Sequence, residues 1–163
     1  MSPLKFKEIK DVSINDYLKY RNLKINLNNS VLKKKIKPID HYIWWLQNQE
    51  RKSYIVKRNK IDLLILYYSI KFLGKKVIIF PGYFVCKNMI SISDILSSIK
   101  WQNNTIDKRF KKKICVIIVP KKNLFSNAHS KYFKYKILKP NNPFYKQLKK
   151  IKSFNQNFNV YIR

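Results

Sequence analysis

The sequence predicts an α/β domain of 163 residues, a mixed sheet of six to seven strands with helices on both faces. Three observations predict it. Between Ser53 and Val85 three apolar runs follow one another with only short polar turns, the pattern of an antiparallel meander. A long helical pattern then separates the meander from Ile114–Val119, whose Cys-Val-Ile-Ile-Val composition is that of a fully buried strand reached by a parallel crossover. Inside the third run sits Pro81-Gly82, which removes a ladder donor and marks either a bulge or a splay.

The elements follow in order. Leu4, Phe6 and Glu8 alternate with Lys5, Lys7 and Ile9 as a short first strand. Asp11 or Ser13 caps a helix over Ile14–Arg21, with Ile14, Tyr17 and Leu18 at helical spacing. Pro38 opens a second helix to Gln49, whose apolar face is expected to hold Ile39, Tyr42, Ile43, Trp45 and Leu46. Strands are expected over Ser53–Arg58, Ile61–Phe72 and Val77–Val85, joined at Asn59-Lys60 and Leu73-Gly74-Lys75-Lys76. Ile90–Asp107 is the strongest helix, with Ser91 or Ser93 as its cap. After Ile114–Val119, Pro120 stops the strand, Asn123–Phe133 is a helix and Tyr135–Leu138 a short strand. Residues 139–163 read as a basic tail with scattered aromatics, in which Phe158–Ile162 adds a last strand. The domain proper is expected over 1–138.

Composition bounds the function. The charge of +28 comes from 36 basic and 8 acidic residues, which raises nucleic-acid binding as a reading. The make-up of that charge weakens it: 31 of the 36 are Lys and 5 are Arg, while Ala occurs once and Gly twice. Codons rich in A and T favour this profile with no selection for a polyanion, and base readout favours the Arg fork. The runs Lys33-Lys34-Lys35 and Lys111-Lys112-Lys113 fall in connections between elements. No apolar stretch reaches a membrane-spanning length, and the N-terminus shows no secretion signal. Cys86 and Cys115 have no metal-ligand spacing and read as reduced core thiols, which suits a cytoplasmic protein; no metal site is expected.

Two short strings add chemistry: Arg21-Asn22 closing the first helix, and His41-Tyr42-Ile43-Trp44 on the second. With Lys100-Trp101-Gln102 on the long helix and the order of elements, residues 4–138 resemble the GNAT acyl-CoA-dependent N-acetyltransferases. Within them they resemble the branch that acetylates nucleotide-linked amino sugars for surface polysaccharides. The resemblance implies a GNAT-like sheet whose fourth and fifth strands splay to admit acetyl-CoA as co-substrate. It implies a transfer of acetyl from acetyl-CoA to an amino sugar of a nucleotide-linked precursor.

Site residues follow from the same resemblance. His41 is the expected catalytic base, with an ordered water as the other group that could take the proton; the alternative is a helix-surface His beside a core Trp. Arg21, Asn22, Trp44 and Tyr83 bind the acceptor, Trp44 by stacking and Arg21 by a bidentate grip on phosphate. Asp16 or Asp40 offers Arg21 an ion pair instead, and a helix cap is the other role for Asn22. Phe84, Val85, Lys87, Asn88, Ser91, Ser93 and Asn123 bind the cofactor through backbone groups, a helix N-terminus and a basic rim. His129 is expected to be exposed and without a role. The chain departs from the family pattern at two places: Asn88–Ser93 holds no glycine, and Ser130 stands where a general-acid Tyr is usual. Two other readings stay open, a Lys-rich nucleic-acid-binding module and a catalytically degenerate protein of the same fold.

Overall fold

The computed structural model describes residues 2–10, 15–23, 34–87 and 89–163. Its elements are β1 (Lys5–Glu8), α1 (Asn15–Leu23), α2 (Pro38–Gln47), β2 (Lys52–Arg58), β3 (Ile61–Leu73), β4 (Lys76–Val85), α3 (Ile92–Arg109), β5 (Ile114–Pro120), α4 (Leu124–Tyr132), β6 (Lys136–Ile137), α5 (Pro143–Ile151) and β7 (Phe158–Ile162). The seven strands form one mixed sheet in the order β1-β2-β3-β4-β5-β7-β6. Antiparallel pairing joins β1 to β2 and β2 to β3, while β4 and β5 are parallel. The β2–β3 hairpin turns at Asn59 and Lys60, both at positive φ, as a two-residue hairpin loop requires.

Contacts divide the chain into two compact units, Met1–Ser69 with Gly82–Asn103, and Ile70–Pro81 with Asn104–Arg163. In the first unit Phe6 lies flat on Trp101, 4.1 Å between ring centroids, and Tyr54 meets the same indole edge-on. Gln102 is buried and its Nε2 donates to the carbonyls of Tyr67 on β3 and Gly82 on β4, at 2.8 and 3.2 Å. One α3 side chain thus clamps two strands at Gly82.

The second unit packs Ile78, Phe80, Val116, Leu138, Tyr145, Leu148 and Val160 into a single core. Among the described residues the β4–β5 register comprises Ile78↔Ile114 and Ile79↔Cys115, so the ladder covers only the start of each strand. On its other side β5 pairs with β7 along its whole upper length, from Val116↔Ile162 to Pro120↔Phe158. Residues 139–163 therefore supply an inner strand and a helix. That helix, α5, lies in the segment that reads in the sequence as a basic tail. Pro143 occupies its first turn, where no N–H is needed, and the Asn142 side chain accepts from Phe144 N.

Two further expectations are corrected. The stripe Ile39, Tyr42, Ile43 and Leu46 of α2 is exposed, and the helix buries His41 with Trp44 and Trp45 partly covered instead. His129 is buried, not exposed, with its ring 3.9 Å from that of Phe125 one turn earlier. Cys86 and Cys115 are buried free thiols, as expected.

Candidate functional site

The inward edge of α2 builds an aromatic chamber in the first unit. Tyr17 of α1 packs with Ile65 and Cys86, and its ring meets His41, Trp45 and Phe84 at 5.4, 5.6 and 5.4 Å. His41 lies near-parallel to Trp44 at 5.5 Å. Two cations stand over the Trp44 indole, the guanidinium of Arg21 at 4.5 Å and that of Arg51 at 5.0 Å. Arg51 also covers Tyr67 at 3.6 Å and donates from Nη2 to the Tyr17 hydroxyl at 2.9 Å.

The electrostatics are one-sided. Among the described residues neither Arg21 nor Arg51 is paired with a carboxylate, including Asp16 and Asp40. Burial lowers the Arg21 pKa, and the Arg51 charge acts in the same direction. His41 is fully enclosed, and among the described residues neither ring nitrogen has a hydrogen-bond partner. Burial pushes its pKa down to about 4, with the charges of Arg21 and Arg51 adding to the effect. At neutral pH the imidazole is uncharged. The ring sits beside Trp44 as part of the chamber wall, enclosed and not exposed to solvent.

Beside this cluster is a hollow of about 150 Å³ lined by Trp44, Trp45, Asn48, Gln49, Arg51 and Lys10, together with the Glu8–Lys52 ion pair. It combines indole faces with amide and cationic donors and one carboxylate, Glu8, that Lys52 compensates; the remaining cations suit a polar ring bearing an anionic group. Asn22 does not point there: its side chain makes a two-way pair with the backbone of Ile36, 3.0 Å in each direction, tying the end of α1 to the approach to α2.

The other predicted residues lie along β4 and the α3 N-terminus. Tyr83, Phe84 and Val85 are half-buried at the end of β4, and Phe84 turns its ring to Tyr17. Lys87 is exposed; Asn88 lies outside the described residues. Ser91 caps α3, its Oγ accepting from Asp94 N at 3.0 Å, and Ser93 is exposed in the first turn. Asp94, the one acid in that turn, is ion-paired with Arg58, which also donates to Ser2 O. In the second unit the Asn123 side chain caps α4 by accepting from Ser126 N, and Ser130 donates to Ser126 O. Among the described residues no three or more of His, Cys, Asp and Glu gather as a metal site. Nor is any helix there long and apolar enough to cross a membrane.

Arg51, Tyr17 and Tyr67 were missed by sequence reasoning. A signal existed: Arg is rare in this Lys-rich chain, and a planar guanidinium stacks where an ammonium does not.

No family model and no curated protein matches the chain. Solved structures do. A domain from Methanocaldococcus jannaschii DSM 2661 superposes with a TM-score of 0.76 at 14% identity, covering 100% of this chain and 99% of that one. RimL, a ribosomal L7/L12 alpha-N-protein acetyltransferase in complex with coenzyme A, gives 0.69 at 14% identity over 100% and 94%. FdhC, a nucleotide-linked sugar GNAT, gives 0.68 at 13% over 98% and 85%. The chain has the GNAT fold. Its neighbours in fold act on different acceptors, so the acceptor has to be argued from the site itself.

Proposed function

We propose that the protein is an N-acetyltransferase that uses acetyl-CoA and acetylates an amino sugar carried on a nucleotide. The carrying observation is the Trp44 indole beneath two guanidiniums that have no carboxylate partner among the described residues. Such a group is poised for a planar or pyranose ring with phosphate attached. FdhC, described as a nucleotide-linked sugar GNAT, supports this acceptor class.

Residues of the first unit fit the co-substrate. The α3 N-terminus offers first-turn N–H groups, the hydroxyls of Ser91 and Ser93 stand where glycines are usual, and Lys87 adds a cation. Asp94, which would repel phosphate, is neutralised by Arg58. Backbone groups at Tyr83, Phe84 and Val85 are the proposed partners of the pantetheine chain. When bound, acetyl-CoA supplies an activated acetyl thioester. The chain itself has three tasks: to grip the anionic part of the acceptor with Arg21 and Arg51, to seat its ring in the hollow that Trp44 and Trp45 line, and to keep water ordered beside the amine. That water takes the amine proton, since a buried neutral imidazole flanked by two cations is a poor place to store one. His41 positions Trp44.

The test is thiol release from acetyl-CoA with three acceptors: a UDP-linked amino sugar, the free amino sugar, and a peptide with a free N-terminus. Turnover is expected with the first, with UDP alone inhibiting competitively. Turnover only with the peptide would overturn the acceptor and leave the transferase. Calorimetry showing no heat at hundreds of micromolar CoA would remove both.

A further inference from the structure

The apolar residues that the sequence assigns to the buried face of α2 are outside. Ile39, Ile43 and Leu46 are 61, 48 and 66% exposed, and Tyr42 joins them at the i, i+3, i+4 and i+7 positions of one stripe. Exposed apolar groups of this size in a row mark an interaction surface. The charge around the stripe says what kind. Residues 38–50 are the longest stretch of the chain without Lys or Arg, and they contain Asp40 and Glu50, in a protein of net charge +28. Three exposed lysines, Lys34, Lys35 and Lys37, stand immediately before the helix, and its last turn holds no basic residue.

We propose that this face is a self-association surface, on which α2 of a second copy docks antiparallel about a two-fold axis near Tyr42 and Ile43. In that arrangement Ile39 of each copy lies over Leu46 of the other. The lysines at each helix start then lie at the carbonyl end of the other helix, whose last turn holds no basic residue and whose Trp44 and Trp45 carbonyls are met by the Asn48 and Gln49 amides. A parallel pairing would instead bring both lysine clusters together. An isologous contact of this kind is the commonest form of homodimer. Elsewhere two copies repel, so the contact has to form on the least basic part of the surface. The proposal stands independently of any enzymatic reading. Its inner consequence is mechanical: the helix that carries His41, Trp44 and Trp45 inward would be braced from outside.

The area is small. The stripe offers on the order of a few hundred Å² per copy, less than the roughly 800 Å² of a standard interface, so a dissociation constant of about 10–100 μM is expected. Salt should strengthen it by screening the repulsion between the rest of each copy.

Sedimentation velocity on the full chain between about 5 and 500 μM, at low and moderate salt, reads this directly. Dimer is expected at the upper concentrations, more at moderate salt, and Ile43→Asp should weaken it at least tenfold with an unchanged circular dichroism spectrum. Orientation is tested by single cysteines, the native thiols being buried. Ile43→Cys should form an intermolecular disulfide, while Leu46→Cys should not, its two copies lying ~10 Å apart along the axis. A chain that stays monomeric throughout overturns the proposal, as does a dimer indifferent to Ile43→Asp. Cross-linking of Leu46→Cys with none at Ile43→Cys overturns the antiparallel arrangement.

Discussion

A Cβ placed on Gly82 would stand 2.5 Å from both Cζ and Oη of Tyr67, closer than side-chain atoms pack. Glycine is needed here for space. The Tyr67 ring lies beside Gly82 of β4, Arg51 stacks on that ring at 3.6 Å, and the same guanidinium reaches Trp44 at 5.0 Å. A backbone feature of the sheet is thereby connected, by successive ring contacts, to the proposed acceptor site.

Gly82→Ala is expected to push Tyr67 aside and displace Arg51 with it. Overpacking of this sort costs about 1–3 kcal/mol, and the acceptor KM should rise while CoA affinity measured by calorimetry changes little. Combining Gly82→Ala with Tyr67→Ala should cost less than the sum of the two, since the clash needs both side chains. Strict additivity would break the connection.

Arg51→Lys keeps the cation and loses the plane. The acceptor KM is expected to rise roughly tenfold, equal to ~1.4 kcal/mol, with kcat much less affected. Arg21→Lys should behave alike, and the two together should cost less than twice one, because both guanidiniums share Trp44. A wild-type KM in either single variant would mean that the anion is held elsewhere.

The buried imidazole gives a stability prediction with a definite sign. The His41 pKa of about 4 in the folded protein lies below its ordinary value of 6.5, so the unfolded chain binds the proton more readily. Stability is therefore full above pH 6.5 and falls as the pH drops through that value toward 4. His41→Phe removes the titrating group and two unpartnered ring nitrogens while keeping an aromatic ring between Tyr17 and Trp44. Thermal melts of both proteins from pH 7.5 to 4.5 should show the wild type losing several degrees more than the variant. Equal losses would mean that His41 is hydrated in solution.

Much of the fold was legible in the sequence because its signals are local. Period-two runs bounded by Asn59-Lys60 and Gly74 mark the meander, and Ser91 and Asn123 mark helix starts. The α2 orientation was not legible. Ile39, Tyr42, Ile43 and Leu46 make a better apolar stripe than His41, Trp44 and Trp45, yet the rings find Tyr17 and Phe84, contacts that join α1, α2 and β4. Periodicity finds a stripe without saying which tertiary partner takes it. The site was half legible for a related reason. Arg21 and Trp44 sit in recognisable strings, whereas Arg51 enters through a turn and becomes meaningful only above Tyr67. All five arginines turn out to make contacts that suit a guanidinium: Arg21 and Arg51 over Trp44, Arg58 bridging Ser2 and Asp94, Arg109 over Phe110 and Arg163 forked on Asp107. In a chain this rich in lysine, the retained arginines were the best pointers available.

Asn127 was the second thing the sequence concealed, and it yields the largest stability prediction. Its Nδ2 donates to the carbonyls of Pro120, Lys121 and Asn123, while its Oδ1 accepts from Asn159 Nδ2 at 2.9 Å and from the Tyr161 hydroxyl at 2.8 Å. One buried amide therefore ties the β5–α4 turn to β7. Asn127→Leu has nearly the same volume but strands these partners, at a cost of about 3 kcal/mol or more by denaturant titration. Asn127→Asp should be worse at neutral pH, since a carboxylate would face three carbonyl oxygens, and should recover as acid protonates it. Tyr161→Phe removes one bond only. If Asn127→Leu cost no more than Tyr161→Phe, the hub would be an arrangement the protein does not depend on.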